Sequence, residues 1–395
     1  SLLFLRMAEY LVSRVDFNIF CIDYEDGFIS KNLSNHDITM IFYSDDKMVT
    51  VPEDSMLIFQ TMTPWTIFPN IKILDGCKLF FWNCHPYNLV PHIPIFSQSI
   101  KKNAYLNKII LKAFFPTYWL KCKNFLKLLI DNNAIAFMDS SNKDNTQLFY
   151  FPIPNKGFLP IPSEVIKPRK NYNCKDPCHL LWVGRIVDFK YYILIHTLRK
   201  VDNYAKLQGK DNIVFTIVGG GDFLARLKEN CLELSHIKVD FIEFMSPQHL
   251  NVFMREKVDL VFAMGTSALD AARLGIPTVL LDIAYSPITE GYSFKFLFEG
   301  DGASLGAIIK PKISFSRRSS SVRKNIDNIF VRLLDDYEGI AVKTRKYYVE
   351  NHSIKKVSDN FLKRIQCSSL LYGDLRRSNC LSRGLVYSLK QKFKL

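Results

Sequence analysis

Leu181–Lys190, LWVGRIVDFK, is the stretch whose reading decides the fold. Its apolar run predicts a buried β-strand that stops at Gly184 and then delivers Arg185 and, five residues on, Lys190. Open α/β sheets bind ligands at the carboxyl ends of their strands, so both cations are placed where a ligand would sit. Arg is a planar fork for two oxygens and Lys a mobile point charge, a pairing that suits a diphosphate. Taken alone, the stretch is equally a strand with two solvated cations on its exit loop.

Two further segments follow in order. Ile213–Asp222, IVFTIVGGGD, runs an apolar strand into Gly219, Gly220 and Gly221 and then into the helical stretch FLARLKENCLEL. Glycines there allow backbone to approach a ligand closely, and a helix start offers free N–H groups. The third glycine of the dinucleotide fingerprint is absent. Val258–Asp282, VDLVFAMGTSALDAARLGIPTVLLD, places a strand at Leu260–Ala263, then Gly265, then Thr266 and Ser267 as N-cap candidates for a helix over Ala268–Leu274. Gly275 and Pro277 end that helix, and Thr278–Leu281 starts another strand.

These segments, in this order and spacing, resemble the carboxyl-terminal domain of GT-B glycosyltransferases, specifically the large retaining family 4. Gly184, Arg185 and Lys190 match its G-R-x-x-x-x-K element, and Val218, Gly219 and Gly221 its V-G-x-G element. Gly265, Ala271, Gly275 and Pro277 match its third motif, which departs at both acidic positions: Phe262 replaces the first Glu and Asp270 the second. The likeness covers roughly residues 175–365 well and the amino-terminal half in outline. It implies an α/β chain with a GT-B fold, two Rossmann-like doubly wound parallel-sheet domains facing a central cleft. The expected domains are 1–165 (acceptor side), 176–342 (nucleotide-sugar side) and 343–395 (a crossing helix and basic tail). Family members normally begin with a strand and a Gly-rich loop, whereas this chain opens in the helical pattern LLFLRMAEYLVSRV, so an amino-terminally truncated family domain is expected.

The composition agrees with a globular chain. At 395 residues there is room for two cores, and the hydrophobic content is 48%. No apolar run approaches the roughly 18–20 residues that span a bilayer. Nine cysteines show no C-x-x-C pair, and Cys174, Cys178 and His179 lack a second ligand pair, so free thiols are expected rather than a metal site. Of a net charge of +14, residues 341–395 carry 13 Lys and Arg against three acids. A charge gathered at one end points to a surface patch, and no zinc finger or aromatic RNA-binding motif accompanies it, so nucleic acid is not an expected partner.

Strands are expected at Phe17–Ile22, Thr39–Tyr43, Met56–Gln60, Lys78–Asn83 and Ala134–Met138, with helical material over Lys108–Asp131 and a last long helical pattern over Lys343–Leu371. Phe158–Lys175, rich in Pro and Lys, reads as a linker. His85 follows a strand, where the resemblance implies a contact to the donor sugar; a turn histidine before Pro86 is the alternative. The DSSN run at Asp139–Asn142 also follows a strand, and Glu290 falls in a loop where the family places residues near the donor.

The expected activity is transfer of a hexosyl or N-acetylhexosaminyl group from a nucleotide diphosphate sugar, a UDP-sugar by expectation, to a lipid-linked or cell-surface polysaccharide glycan acceptor. Arg185, Lys190 and the Gly265–Ser267 turn would stabilise the leaving diphosphate, with no metal and no bound cofactor. Asp270 would hold the ribose, and His85 would orient sugar or acceptor. Retention of configuration is implied by the resemblance alone. The alternatives are an epimerase of the same fold and a non-catalytic partner, to which Phe262 lends force. In the tail Leu375–Leu395, Leu381, Leu385, Leu389 and Phe393 form an apolar stripe opposite Arg383, Lys390 and Lys394. That is the pattern of a basic helix on an anionic membrane, and it predicts a cytoplasmic protein held peripherally at the inner face of the plasma membrane.

Overall fold

The computed structural model describes residues 2–64, 70–91, 104–169, 176, 178–288, 291–309 and 325–381. The chain forms two compact units, Ser1–Pro162 with Ile354–Leu395 and Ser163–Ser353. Both are α/β and, with one exception, their strands pair in parallel.

The first unit opens with α1 (Leu2–Leu11), β1 (Phe20–Tyr24), α2 (Phe28–Asn32), β2 (Thr39–Tyr43), β3 (Val49–Thr50), β4 (Met56–Gln60), β5 (Ile71–Lys72) and β6 (Lys78–Asn83). It continues through α3 (Ala104–Phe114), α4 (Pro116–Asp131), β7 (Ile135–Phe137) and α5 (Ser140–Phe149). Among the described residues its strands form the parallel sheet β4–β6–β7 and two parallel pairs, β1–β2 and β3–β5. β6 is buried on both faces, as a central parallel strand must be. Phe80 and Trp82 pack with Met7, Leu11 and Phe361 on one side, while Phe81 packs with Phe125 and Leu126 on the other. Trp82 satisfies its indole by donating Nε1–H to the Leu159 carbonyl at 2.8 Å. The helical material expected over Lys108–Asp131 forms two helices, because Pro116 cannot continue α3 and instead starts α4.

The second unit contains β8 (His179–Val183), α6 (Asp188–Gln208), β9 (Val214–Val218), α7 (Leu224–Cys231), β10 (Lys238–Ile242), α8 (Pro247–Lys257), β11 (Leu260–Ala263), α9 (Thr266–Ala272), β12 (Thr278–Leu280), β13 (Lys295–Phe296), α10 (Ile326–Asp335) and α11 (Tyr337–His352). Its sheet has the order β10–β9–β8–β11–β12–β13, parallel except for the antiparallel edge strand β13. The order reverses between β8 and β11, which makes the carboxyl ends of those two strands the switch point where doubly wound sheets take ligands. Phe262 on β11 is fully buried and stacks on Phe215 at 5.6 Å, so the residue at the missing acidic position is a core residue.

After α11 the chain re-enters the first unit with α12 (Ile354–Gln366) and α13 (Tyr372–Arg377). The helical pattern expected over Lys343–Leu371 is broken at Ser353, whose extended backbone bridges to Ser163. The expected linker is also more tied down than its composition suggests. Tyr348 donates to the Ser163 carbonyl at 3.0 Å, Arg345 to Ile166 at 3.0 Å and Arg169 to Val258 at 2.8 Å. Of the tail, residues 382–395 lie outside the described residues, as do Cys174 and Glu290. Leu381, expected to begin an apolar stripe for a membrane, packs instead beside the first unit's core, next to the buried Leu375 and Cys380.

Candidate diphosphate site

β8 ends at Val183, and its exit loop is stitched to the exit loop of β9 beyond the last sheet pair. Gly184 N–H donates to Val218 at 3.0 Å, Ile186 N–H to Gly220 at 2.9 Å, and Phe223 N–H to Ile186 at 3.1 Å. This stitching explains two of the glycines. A Cβ on Gly219 would sit 2.3 Å from the Gly184 carbonyl oxygen, and one on Gly221 2.4 Å from that of Ile186. Both glycines are therefore required by backbone-to-backbone contact between the two exit loops, a cause the motif does not reveal.

Gly184 (φ +149°) is the floor of the site. A Cβ there would lie 3.1 Å from Lys190 Nζ and 4.0 Å from Ser267 Oγ, so the ammonium from the first turn of α6 and the hydroxyl from α9 converge over one glycine. Trp182 reaches up from β8 beside them, its ring centroid 5.9 Å from Lys190 Nζ. Burial, and then the neighbouring Arg185, hold the Lys190 amine below the ordinary lysine pKa. Arg185 itself is exposed. Among the described residues neither cation forms an ion pair with an acid. Two adjacent positive groups, one of them partly desolvated, are stabilised most by an anion bridging both.

The remaining expected residues are placed as follows. Thr266 and Ser267 are the first residues of α9, and Gly265 (φ +63°) makes the turn before them. The Gly265 N–H is already committed to the Leu305 carbonyl at 2.7 Å, so this amide is not offered to a ligand. Asp270 is half-buried and pairs with Arg273 at 3.1 Å; Arg273 also reaches Asn251 Oδ1 at 3.2 Å. An ion pair thus holds the carboxylate expected on a ribose. Cys178 and His179 have structural partners, Asp259 for the Cys178 amide and Thr216 for the imidazole. No group of three or more His, Cys, Asp or Glu gathers as a metal-ligand set among the described residues.

His85 belongs to the first unit, exposed just past β6. Its Nδ1 accepts the Tyr87 N–H at 3.2 Å, which leaves the proton on Nε2 when the ring is neutral. At the same carboxyl edge Asp139 caps α5, accepting the Asn142 N–H at 2.7 Å, and burial lifts its carboxyl to about 6. Sequence reasoning missed the residues beneath them. Thr61, just past β4 with its N–H on the Trp82 carbonyl, and Asn83, the last residue of β6, are fully buried with side-chain polar atoms that have no hydrogen-bond partner among the described residues. A polar residue closing an otherwise apolar strand was the available signal. Trp182 was missed because nothing in an apolar strand marks which residue will flank an ammonium.

No protein-family profile matches the chain, and no curated protein does. Solved structures with a similar fold include S. aureus TarM crystallised with fondaparinux, α-GlcNAc-glycerol and UDP, at 17% identity and a TM-score of 0.38 over 61% of this chain and 46% of that one. The pneumococcal O-GlcNAc transferase GtfA with UDP and GlcNAc is 12% identical, TM-score 0.37, over 61% of this chain and 46% of that one. The lipopolysaccharide outer core galactosyltransferase WaaB in its apo form is 12% identical, TM-score 0.39, over 79% of this chain and 98% of that one. The chain spans about half the length of the TarM and GtfA chains.

Proposed function

We propose that this chain is a glycosyltransferase of the GT-B type that takes a sugar from a nucleoside diphosphate sugar. The observation that carries the reading is the convergence of Lys190 Nζ and Ser267 Oγ over Gly184, beside Arg185, at the switch point of a doubly wound sheet. Cleavage of the bond between sugar and diphosphate leaves negative charge on the departing oxygens. Fixed cations placed there before the reaction lower its barrier without reorganising solvent. Lys190 is suited to this, since its burial makes the ammonium's interaction with an arriving anion stronger than it would be in water. In this reading the two cations carry the leaving group without a metal, UDP is the nucleotide, and the acceptor is a lipid-linked or cell-surface glycan. Transfer proceeds with retention, His85 orients the sugar or acceptor, and the basic tail holds the protein at the inner face of the membrane.

A second reading has its own observation. One family acid is replaced by Phe262, which lies in the core, and Asp270 at the other pairs with Arg273, a combination that favours a chain that binds nucleotide without transferring sugar. One experiment separates them. UDP in the presence of EDTA should raise the melting temperature through binding to the folded state, and Arg185→Ala or Lys190→Ala should abolish most of the rise. Release of UDP from a panel of UDP-sugars then distinguishes transfer from binding alone. Unchanged UDP binding in both variants would place the site elsewhere.

A further inference from the structure

The first unit carries an apolar surface that its own core does not use. α3, AYLNKIILKAF, buries Asn107 and Leu111 and packs on α4 and α5. Its opposite face is also apolar: Tyr105 is 66% exposed, Leu106 48% and Ile109 49%. Phe114, at the turn into α4, is 74% exposed, and Leu120 on α4 is 49% exposed. Exposed apolar side chains clustered opposite a helix's buried face mark an interface or a lipid boundary.

The charge around this patch selects among those occupants. α3 contains no acid, and the acid of α4 is Asp131 at its far end. Lys112 and Lys123 stand over one indole, their Nζ atoms 4.7 and 5.3 Å from the Trp119 ring centroid. Neither pairs with an acid among the described residues. Lys108, one turn before, has its pKa lowered by burial and then by the Lys112 charge. Exposed aliphatic and aromatic side chains rimmed by lysines and by an anchored Trp are the composition of a membrane-interface helix. Another exposed apolar group of this unit, Phe20, Tyr24 and Phe42 on β1 and β2, is flanked in sequence mainly by acids, Asp23, Glu25, Asp26, Asp45 and Asp46, with Lys47 beside them.

We infer that the α3–α4 hairpin docks on an anionic bilayer, with Leu106, Ile109 and Phe114 entering the acyl boundary and Lys112 and Lys123 meeting lipid phosphates. The hairpin is a different stretch of the sequence from the basic tail, and the inference does not rest on the sugar-transfer reading, because vesicle binding requires no chemistry.

The test is co-sedimentation of the full chain with phosphatidylcholine vesicles and with vesicles that also contain phosphatidylglycerol. The parent should bind the anionic vesicles and lose them as salt is raised. Lys112→Gln/Lys123→Gln should weaken that binding about thirtyfold, the equivalent of about 1 kcal/mol per cation. Leu106→Ser/Ile109→Ser/Phe114→Ser should weaken binding to both vesicle types, while Phe20→Ser/Phe42→Ser should change neither. All the replaced side chains are partly or fully exposed, and circular dichroism melting checks that each variant folds. A variant with Arg383, Lys390, Lys392 and Lys394 all changed to Gln isolates the tail. If that variant alone loses binding, or the parent binds neither vesicle or both alike, the proposal fails. Loss in the lysine variant without loss in the apolar variant would show a polyanion site instead of a bilayer site, and would equally overturn it.

Discussion

Replacing Gly219 by Ala should damage the second unit far more than an ordinary glycine substitution. The new Cβ would lie 2.3 Å from the Gly184 oxygen and 2.8 Å from its carbonyl carbon, both backbone atoms of a stitched loop. Relief requires one loop to move by about 1 Å, in a region as closely packed as the core. The φ of +141° adds strain that a side chain cannot escape. Overpacking of this kind costs about 1–3 kcal/mol and the backbone strain a further 1–3 kcal/mol or so, giving about 2–6 kcal/mol in all. Gly209 supplies the control. It also has positive φ (+62°), but a Cβ there meets nothing within 4 Å, so Gly209→Ala should cost only about 1–2 kcal/mol. In a unit of this size, each kcal/mol corresponds to about 2–4 °C in melting temperature. Thermal melts of the two variants against the parent make the comparison. The displaced loop carries Gly184 and Arg185, so UDP affinity should fall about tenfold or more in Gly219→Ala and stay unchanged in Gly209→Ala. Equal destabilisation by the two substitutions would refute the argument that close backbone approach, and not φ alone, demands glycine at 219.

Three further outcomes are expected. Lys190 holds its proton less tightly in the folded chain than unfolded, so folding stability rises with pH between the lowered and the ordinary lysine value; diphosphate binding restores the proton and should weaken across that same alkaline window, measured by calorimetry, with Lys190→Arg flattening the profile. Asp139, raised to about 6 from 3.8, favours the folded state only while protonated, and that contribution is lost as pH rises through about 6. Asp139→Asn, which keeps an acceptor for the α5 cap, should therefore match the parent near pH 4 and exceed its stability above pH 6 by roughly 1–3 kcal/mol in denaturant titrations. Asp270→Asn should cost about 1–3 kcal/mol of stability by leaving the poorly exposed Arg273 short of its partner, and a variant with full stability but weak UDP binding would return Asp270 to the ribose.

Much of the strand framework could be read from the sequence to the residue, as at Thr39–Tyr43, Met56–Gln60, Lys78–Asn83 and Leu260–Ala263. These strands sit in parallel sheets, where burial produces short continuous apolar runs bounded by polar or turn residues. The glycines after β9 were legible as a motif, but their cause was not. It lies in the carbonyls of Gly184 and Ile186, more than thirty residues earlier, and no local pattern records a contact of that separation. The break at Ser353 has no proline or glycine to announce it; the extended conformation there comes with a bridge to Ser163. The commitment of the Gly265 amide to Leu305 was invisible for the same reason. The Pro116 break, by contrast, was written in the chain and its helix-starting role could have been applied.

The return of the chain to its first unit sets an order on biosynthesis. The second unit is one continuous stretch, Ser163–Ser353, and has all its core residues once that stretch has left the ribosome. The first unit, though translated earlier, lacks Phe361 against Phe80 and Trp82, and Leu370 and Leu375 in its other layer, until residues 354–375 have also been made. At about 5–20 residues per second, residues 163–353 keep the early half waiting for roughly 10–40 s with the α1 side of β6 uncovered by α12. The later-made unit can thus be the first to finish folding. A nascent chain stalled before Ile354 should show a protease-resistant second unit attached to a protease-sensitive first one.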